Sequence, residues 1–124
     1  MRLWKPSSKT IKNSKLFKFE KFIAKKFNKK FNVNFNKIHD WSVKNQGDFW
    51  SSVWDFSKVK GSKGNTKVKK SKKFYKNIYL QNSKLNFCEN LLSKNTNEKA
   101  ITFISENGYR EIRKWNELNK NVKN

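Results

Sequence analysis

The sequence predicts an α+β fold, helical through most of its length and followed by a β-hairpin and the start of another helix. Three observations carry that prediction. Apolar residues recur at helical spacing in two segments, 15–27 and the tryptophan-rich 41–56. An Asn107-Gly108 pair separates two β-prone runs, 100–105 and 109–114. Between these regions, residues 58–73 hold eight lysines, two glycines and no aromatic side chain. That composition buries too little to fold as a packed element and predicts a surface loop.

Trp4 to Ser7 reads as an extended anchor, because Pro6 keeps Lys5 out of the helical region and leaves Ser7 or Ser8 to cap a turn of helix over Lys9 to Asn13. In the segment 15–27, Leu16, Phe19, Ile23 and Phe27 follow one another at helical steps, widened by Phe17 and Phe22, with Lys18, Lys21 and Lys25 opposite. A basic amphipathic helix suits an anionic membrane or a partner's groove. Lysine is spread over every segment, however, so one face of an ordinary core is the reading adopted. Phe31, Val33 and Phe35 alternate with polar residues, as in a short strand or an extended arm that turns its odd side chains inward. Asn36 to Trp41 is expected to form a short helix that delivers the chain to Ser42.

Trp41, Trp50 and Trp54, three of the five tryptophans, fall within sixteen residues. Asn45 suits an N-cap there, and Asp48 three residues later opposes the positive end of the helix dipole. Phe49, Trp50, Val53 and Trp54 then form a wide apolar stripe that must face a core or a partner, and partial exposure of these tryptophans is expected. Past the lysine run, Asn86 and Glu89 make a capping box for a helix through Ser93, with Leu85, Cys88, Leu91 and Leu92 inward. The hairpin that follows needs a covering layer over Ile101, Phe103, Ile104 and Ile112. Helical spacing returns from Trp115 through Leu118 and Val122. With no further layer encoded, these residues read as the front end of something larger.

The formal charge is +21, from 30 basic and 9 acidic residues. Such a charge first suggests nucleic acid, since lysines that neutralise phosphates release counterions. Only three of the basic residues are arginine (Arg2, Arg110 and Arg113), whereas phosphate and guanine recognition favours the rigid guanidinium fork. Lysine and asparagine, both encoded by A- and T-rich codons, dominate together, so the charge reads as compositional drift on solvated faces. The alternative is a nucleic-acid or anionic-surface binder that uses Lys58, Lys60, Lys63, Lys67, Lys69, Lys70, Lys72 and Lys73. An aromatic content of 15% argues against plain disorder.

Cys88 is the only cysteine, which excludes an intramolecular disulfide and a cysteine-based zinc site and suits a reducing, cytoplasmic setting. It reads as a small core residue. His39 is the only histidine and has no carboxylate, cysteine or second histidine at ligand spacing, so it reads as structural. No apolar run approaches the eighteen or so residues that span a bilayer. No catalytic, cofactor-binding or metal-binding residue is assigned.

The order of segments carries more than any of them alone. LWKPS at residues 3–7, WSV at 41–43, DFWSSVWDF at 48–56, LNFCENLL at 85–92, a strand pair and KWNEL at 114–118 resemble, in that order, the N-terminal region of acetoacetyl-coenzyme A synthetase. The family patterns are LWxPS, WSVxxxxxFWxxVWDF, LNxAENLL and a (Ser/Thr)-(Trp/Tyr)-x-Glu-Leu helix start. The resemblance implies an adenylate-forming enzyme that activates a carboxylic acid with ATP and Mg²⁺ to an acyl-adenylate and pyrophosphate, then passes the acyl group to the thiol of coenzyme A. It implies a helical N-terminal region over 1–93, with the basic loop 58–73. Residues 94–124, with a hairpin over 100–114 and a helix from 115, would begin a truncated AMP-binding domain. The family's phosphate loop and distant C-terminal lysine have no counterpart among these residues, so no catalytic role is carried over. The partners implied are the large and C-terminal domains, in the same or a separate chain. Three departures stand out: Tyr79 to Asn82 in place of a Trp-Phe-Pro-Gly stretch, Cys88 in place of alanine, and Lys114 at the Ser/Thr capping position, with Asn116 as a substitute cap.

Overall fold

The computed structural model describes residues 4–123; Leu3 of the LWKPS segment, Arg2 and Asn124 lie outside them. Among the described residues the architecture is α+β, with six α-helices and one two-stranded antiparallel sheet. The chain divides into two compact units, Met1–Lys84 and Leu85–Asn124.

In the first unit, α1 (Ser8–Asn13) starts at Ser7, whose hydroxyl accepts from the Thr10 amide, and α2 (Lys15–Phe27) starts at Ser14, which caps the Phe17 amide in the same way. The periodicity of α2 is realised as predicted on its central positions. Phe19 and Ile23 are buried and form one core with Phe31, Ile38 and Trp41, and Phe22, Phe27, Phe49, Val53 and Phe56 pack around it. The packing is largely edge-to-face between rings, Phe19 meeting Phe56 at 5.3 Å and Phe49 at 5.9 Å between centroids.

The alternation at Phe31, Val33 and Phe35 is neither a strand nor an inward-facing arm. Asn32 and Val33 both have positive φ, 58° and 55°, so the backbone turns instead of extending. Phe31 is buried, while Val33 and Phe35 are exposed. A β-branched residue at positive φ is strained, and a side chain from α2 holds it: the buried Glu20 accepts from the Val33 amide through Oε1 at 2.7 Å. Phe35 already belongs to α3 (Phe35–Lys44), capped by Asn34 and longer than the segment expected from the sequence.

The tryptophan helix, α4 (Gln46–Phe56), begins where expected, but Asn45 acts differently from the cap predicted. Its side chain makes no cap bond to α4. Instead its amide group and its backbone N–H both donate to the Trp41 carbonyl, at 3.0 and 2.8 Å, closing the end of α3, while its carbonyl accepts from the Phe49 amide. Trp54 is buried with Trp41, whereas Trp50 is 44% exposed and meets only the edges of Phe49 and Tyr79.

The lysine-rich stretch is exposed, as a surface loop should be, yet it is also paired. Backbone bridges join Ser62 to Lys84, Asn65 to Gln81 and Lys69 to Ile78, making an irregular antiparallel ribbon. Backbone bonds of this kind need no apolar burial, which is why composition did not announce them. Gly47 lets the ribbon approach α4: a Cβ there would collide with the carbonyl oxygen of Thr66.

The second unit is thinner. Asn86 caps α5 (Phe87–Leu91) by accepting from the Glu89 amide, as predicted, but the helix stops short of Ser93. Of the inward face expected there, Leu85, Cys88 and Leu91 are exposed and Leu92 is half-buried, because five residues form barely one turn. The hairpin of β1 (Lys99–Ile104) and β2 (Arg110–Lys114) has the predicted placement. Gly108 takes φ 83°, while Asn107 keeps a negative φ and accepts from the Tyr109 amide, so glycine alone supplies the left-handed step of a three-residue loop. Ile101, Phe103, Ile104 and Ile112 are exposed. For α6 (Trp115–Lys123), the expected Asn116 cap reaches only the adjacent Glu117 amide; Glu117 reaches back to the Lys114 amide, and the carbonyls of Glu98 and Thr96 take the amides of Trp115 and Asn116. The buried Asn119 donates to the carbonyls of Lys94 and Trp115.

Candidate functional site

A concave surface of the first unit is an apolar groove of about 500 Å³ built by three helices. Each helix contributes residues from one face at helical spacing: Leu16 and Phe19 from α2, Phe35, Ile38 and Ser42 from α3, and Phe49, Val53 and Phe56 from α4. The rings of Phe19, Phe49 and Phe56 that close the core from one side therefore form the floor of the groove on the other. Lys15 and His39 are its only ionisable lining residues. A second hollow of about 300 Å³ shares Leu16, Phe35 and Ile38 with it and adds Pro6, Ile11, Phe17 and Val33 together with the polar Thr10, Ser14 and Glu20.

One polar cluster stands on the other side of α4. Asp55 pairs with Lys26 of α2 at 2.9 Å and with Lys63 of the ribbon, and Lys63 also donates to Ser51 Oγ at 3.3 Å. Hydrogen bonds from Lys63 and then from Lys26 hold the Asp55 carboxyl below its ordinary pKa. This arrangement ties three segments together and contains no nucleophile or proton acceptor aimed into a cleft. In the second unit Glu98 is likewise lowered by Lys94, and Glu111 by Arg113, both on the surface.

The lysines singled out from the sequence are not brought to one site. Lys63 turns inward onto Asp55; Lys58, Lys67, Lys69, Lys70, Lys72 and Lys73 are exposed along the ribbon; Lys60 is exposed and engaged in an interaction of its own. His39 is exposed, stacks on Phe35 and lies 3.8 Å from Asp40. Cys88 is a free, exposed thiol and not the core residue expected. Among the described residues no group of three or more His, Cys, Asp or Glu side chains could hold a metal ion, and no helix is long and apolar enough to cross a membrane.

The groove, the buried Glu20 and the role of Asn45 were not found from sequence. Glu20 gave no signal because its partner is a backbone amide thirteen residues away.

Compared with known proteins, the chain is 30% identical over 94% of its length to the acetoacetyl-coenzyme A synthetase of Rhizobium meliloti. It is 29% identical over 90% of its length to the acetoacetyl-CoA synthetase of Gallus gallus. This chain resembles acetoacetyl-CoA synthetase along nearly its whole length. It spans only 17–18% of the length of these relatives, consistent with the N-terminal region to which the segment order pointed. A malonamoyl-CoA synthetase of Penicillium aethiopicum matches at 26% identity over 98% of the chain. No protein-family model matches the chain, and no solved structure does.

On the structure, the WSVxxxxxFWxxVWDF segment, residues 41–56, runs from the end of α3 through the whole of α4. It supplies Ser42, Phe49, Val53 and Phe56 to the groove and Asp55 to the polar cluster. LNFCENLL is α5 with its cap, and KWNEL opens α6. Asn82, last in the stretch that departs from Trp-Phe-Pro-Gly, takes φ 65°, a conformation that asparagine tolerates nearly as glycine does. Gly47 faces the carbonyl oxygen of Thr66, and Gly64 faces the carbonyl oxygen of Gln81 and the amide nitrogen of Ser83, so both lie against the chain's own backbone.

Proposed function

We propose that this chain is the structural N-terminal part of an AMP-forming acetoacetate:CoA ligase, which converts ATP, acetoacetate and coenzyme A to acetoacetyl-CoA, AMP and pyrophosphate. Its role is to pack against the large domain, which with the C-terminal domain supplies the ATP, Mg²⁺ and coenzyme A sites, in the same or a separate chain and in the cytoplasm. The observation that carries this reading is the match over 94% of the chain to 18% of a synthetase. The uncovered apolar groove and hairpin also support it, because such surfaces ordinarily mark contacts. Acetoacetate is the acid favoured by the acetoacetyl-CoA synthetase matches, whereas the malonamoyl-CoA relative is named for a different acyl product.

The test is an assay of acetoacetyl-CoA formation with the purified chain, with the Rhizobium meliloti synthetase lacking its matching 18%, and with the two co-expressed. Activity is expected only from the pair. Turnover by the 124-residue chain alone would refute a purely structural role, and a pair no more active than the truncated synthetase would refute the assignment.

A further inference from the structure

The first unit leaves unfilled a groove that its own helices build, and the chemistry of that groove restricts what covers it. Its walls are apolar; Lys15, His39 and Ser42 are the only polar residues among them, and no carboxylate lines it. Phe35 on its wall is 61% exposed and Leu16 is 44% exposed, an amount of apolar side chain that water disfavours on a small unit. Ser42, Phe49, Val53 and Phe56 stand in the segment 41–56 on which the resemblance to the synthetases rests, so that segment builds the groove as well as the core.

Resting on the proposed function, we infer that the groove of α2, α3 and α4 docks an apolar segment flanked by acidic side chains, contributed by the remainder of the synthetase. Three observations select this occupant. A second copy is disfavoured by charge: each chain carries +21, and the groove's ionisable lining is Lys15 and His39, with no carboxylate. A membrane is disfavoured by shape: the surface is concave, and Phe19 and Ile23 of α2 are buried in the core and not available to lipid. The chain accounts for only 18% of the Rhizobium meliloti synthetase, so most of such an enzyme lies outside these residues. An acidic flank there offsets the self-repulsion of this part.

The experiment co-expresses this chain with the Rhizobium meliloti synthetase lacking its matching 18%, and measures co-purification and the affinity of the separated partners. The variants are the double substitution Leu16→Asp with Phe35→Asp, the single substitution Lys15→Glu, and the control Phe74→Asp, which lies away from the groove and is 83% exposed. Circular dichroism melts establish that each is folded; Lys15 is exposed, so Lys15→Glu carries the test should the double variant fail to fold. The expected result is that the wild type and Phe74→Asp bind alike. The double variant should lose at least about tenfold in affinity, and Lys15→Glu several-fold with a weaker salt dependence. Equal binding by the wild type and the groove variants overturns this inference and leaves the proposed function standing. No binding by the wild type overturns both. A groove variant that abolishes self-association or binding to anionic phosphatidylserine vesicles, while still binding the synthetase, assigns the groove to another occupant and overturns the inference.

Discussion

Ile23 is the position at which the account of the first unit is most exposed to refutation. It is fully buried, with 0% of its surface accessible, and it sits in the core with Phe19, Phe31, Ile38 and Trp41. Ile23→Ala removes three carbon atoms. At about 0.8 kcal/mol per buried methylene, the lost transfer free energy is about 2.4 kcal/mol. The aromatic neighbours are held by one another and collapse poorly into the space, so a cavity term adds to this and brings the expected loss to about 3–4 kcal/mol, inside the usual range for such truncations. A unit of this size has a stability near the low end of the ordinary 5–15 kcal/mol, so the change consumes most of it. Urea unfolding followed by tryptophan emission reads the effect, because Trp41 and Trp54 are buried in this unit. Phe103→Ala, on the exposed face of the hairpin, is the paired measurement and should cost under about 1 kcal/mol. An Ile23→Ala loss below about 1 kcal/mol, or one equal to that of Phe103→Ala, would refute the assignment of Ile23 to a packed core.

Two further outcomes follow from the polar groups of α4. Asp55→Asn should destabilise the first unit by roughly 0.5–1 kcal/mol, a small value because the carboxylate is 34% exposed and screened. Since the folded pKa is lowered, the stabilisation is fully present above the ordinary carboxylate range and is lost as pH falls through the lowered value. Wild-type melts should therefore drop on that acid limb more steeply than those of Asp55→Asn, and superimposable profiles would refute the double pairing. Ser52 is fully buried, and its hydroxyl has no hydrogen-bond partner among the described residues. Ser52→Ala removes that unsatisfied group and improves helix propensity, so the urea midpoint should rise by the equivalent of about 1 kcal/mol; a fall would mean that the hydroxyl is bonded in solution.

Where local chemistry decides structure, the sequence was readable. The bounds of α2 followed from the spacing of Leu16, Phe19, Ile23 and Phe27, the start of α5 from Asn86 and Glu89, and the hairpin from Asn107-Gly108. Where a residue answers to something distant, it was not. Val33 looked like a strand position because alternation is a two-residue signal, whereas its conformation is set by Glu20 from the preceding helix. Leu85, Cys88 and Leu91 looked like an inner face because helical spacing was taken to imply burial, and burial needs a second layer. The groove could not be read at all. Each of its walls appeared in the sequence as an ordinary amphipathic stripe, and only the relative placement of three helices shows that part of each stripe is left over.

The joint at Asn45 bears on how such a groove survives sequence change. Two hydrogen bonds to the Trp41 carbonyl and one from the Phe49 amide join α3 to α4 at Asn45, and the rings of Trp41 and Phe49 meet across the bend at 6.4 Å between centroids. The joint between the helices is thus held by backbone and side-chain amide groups at Asn45 in addition to the rings that line the groove. A lineage drifting toward asparagine and lysine could exchange lining residues one at a time while the frame kept its opening. In this chain the residue at that joint is asparagine, one of the two residue types that dominate its composition.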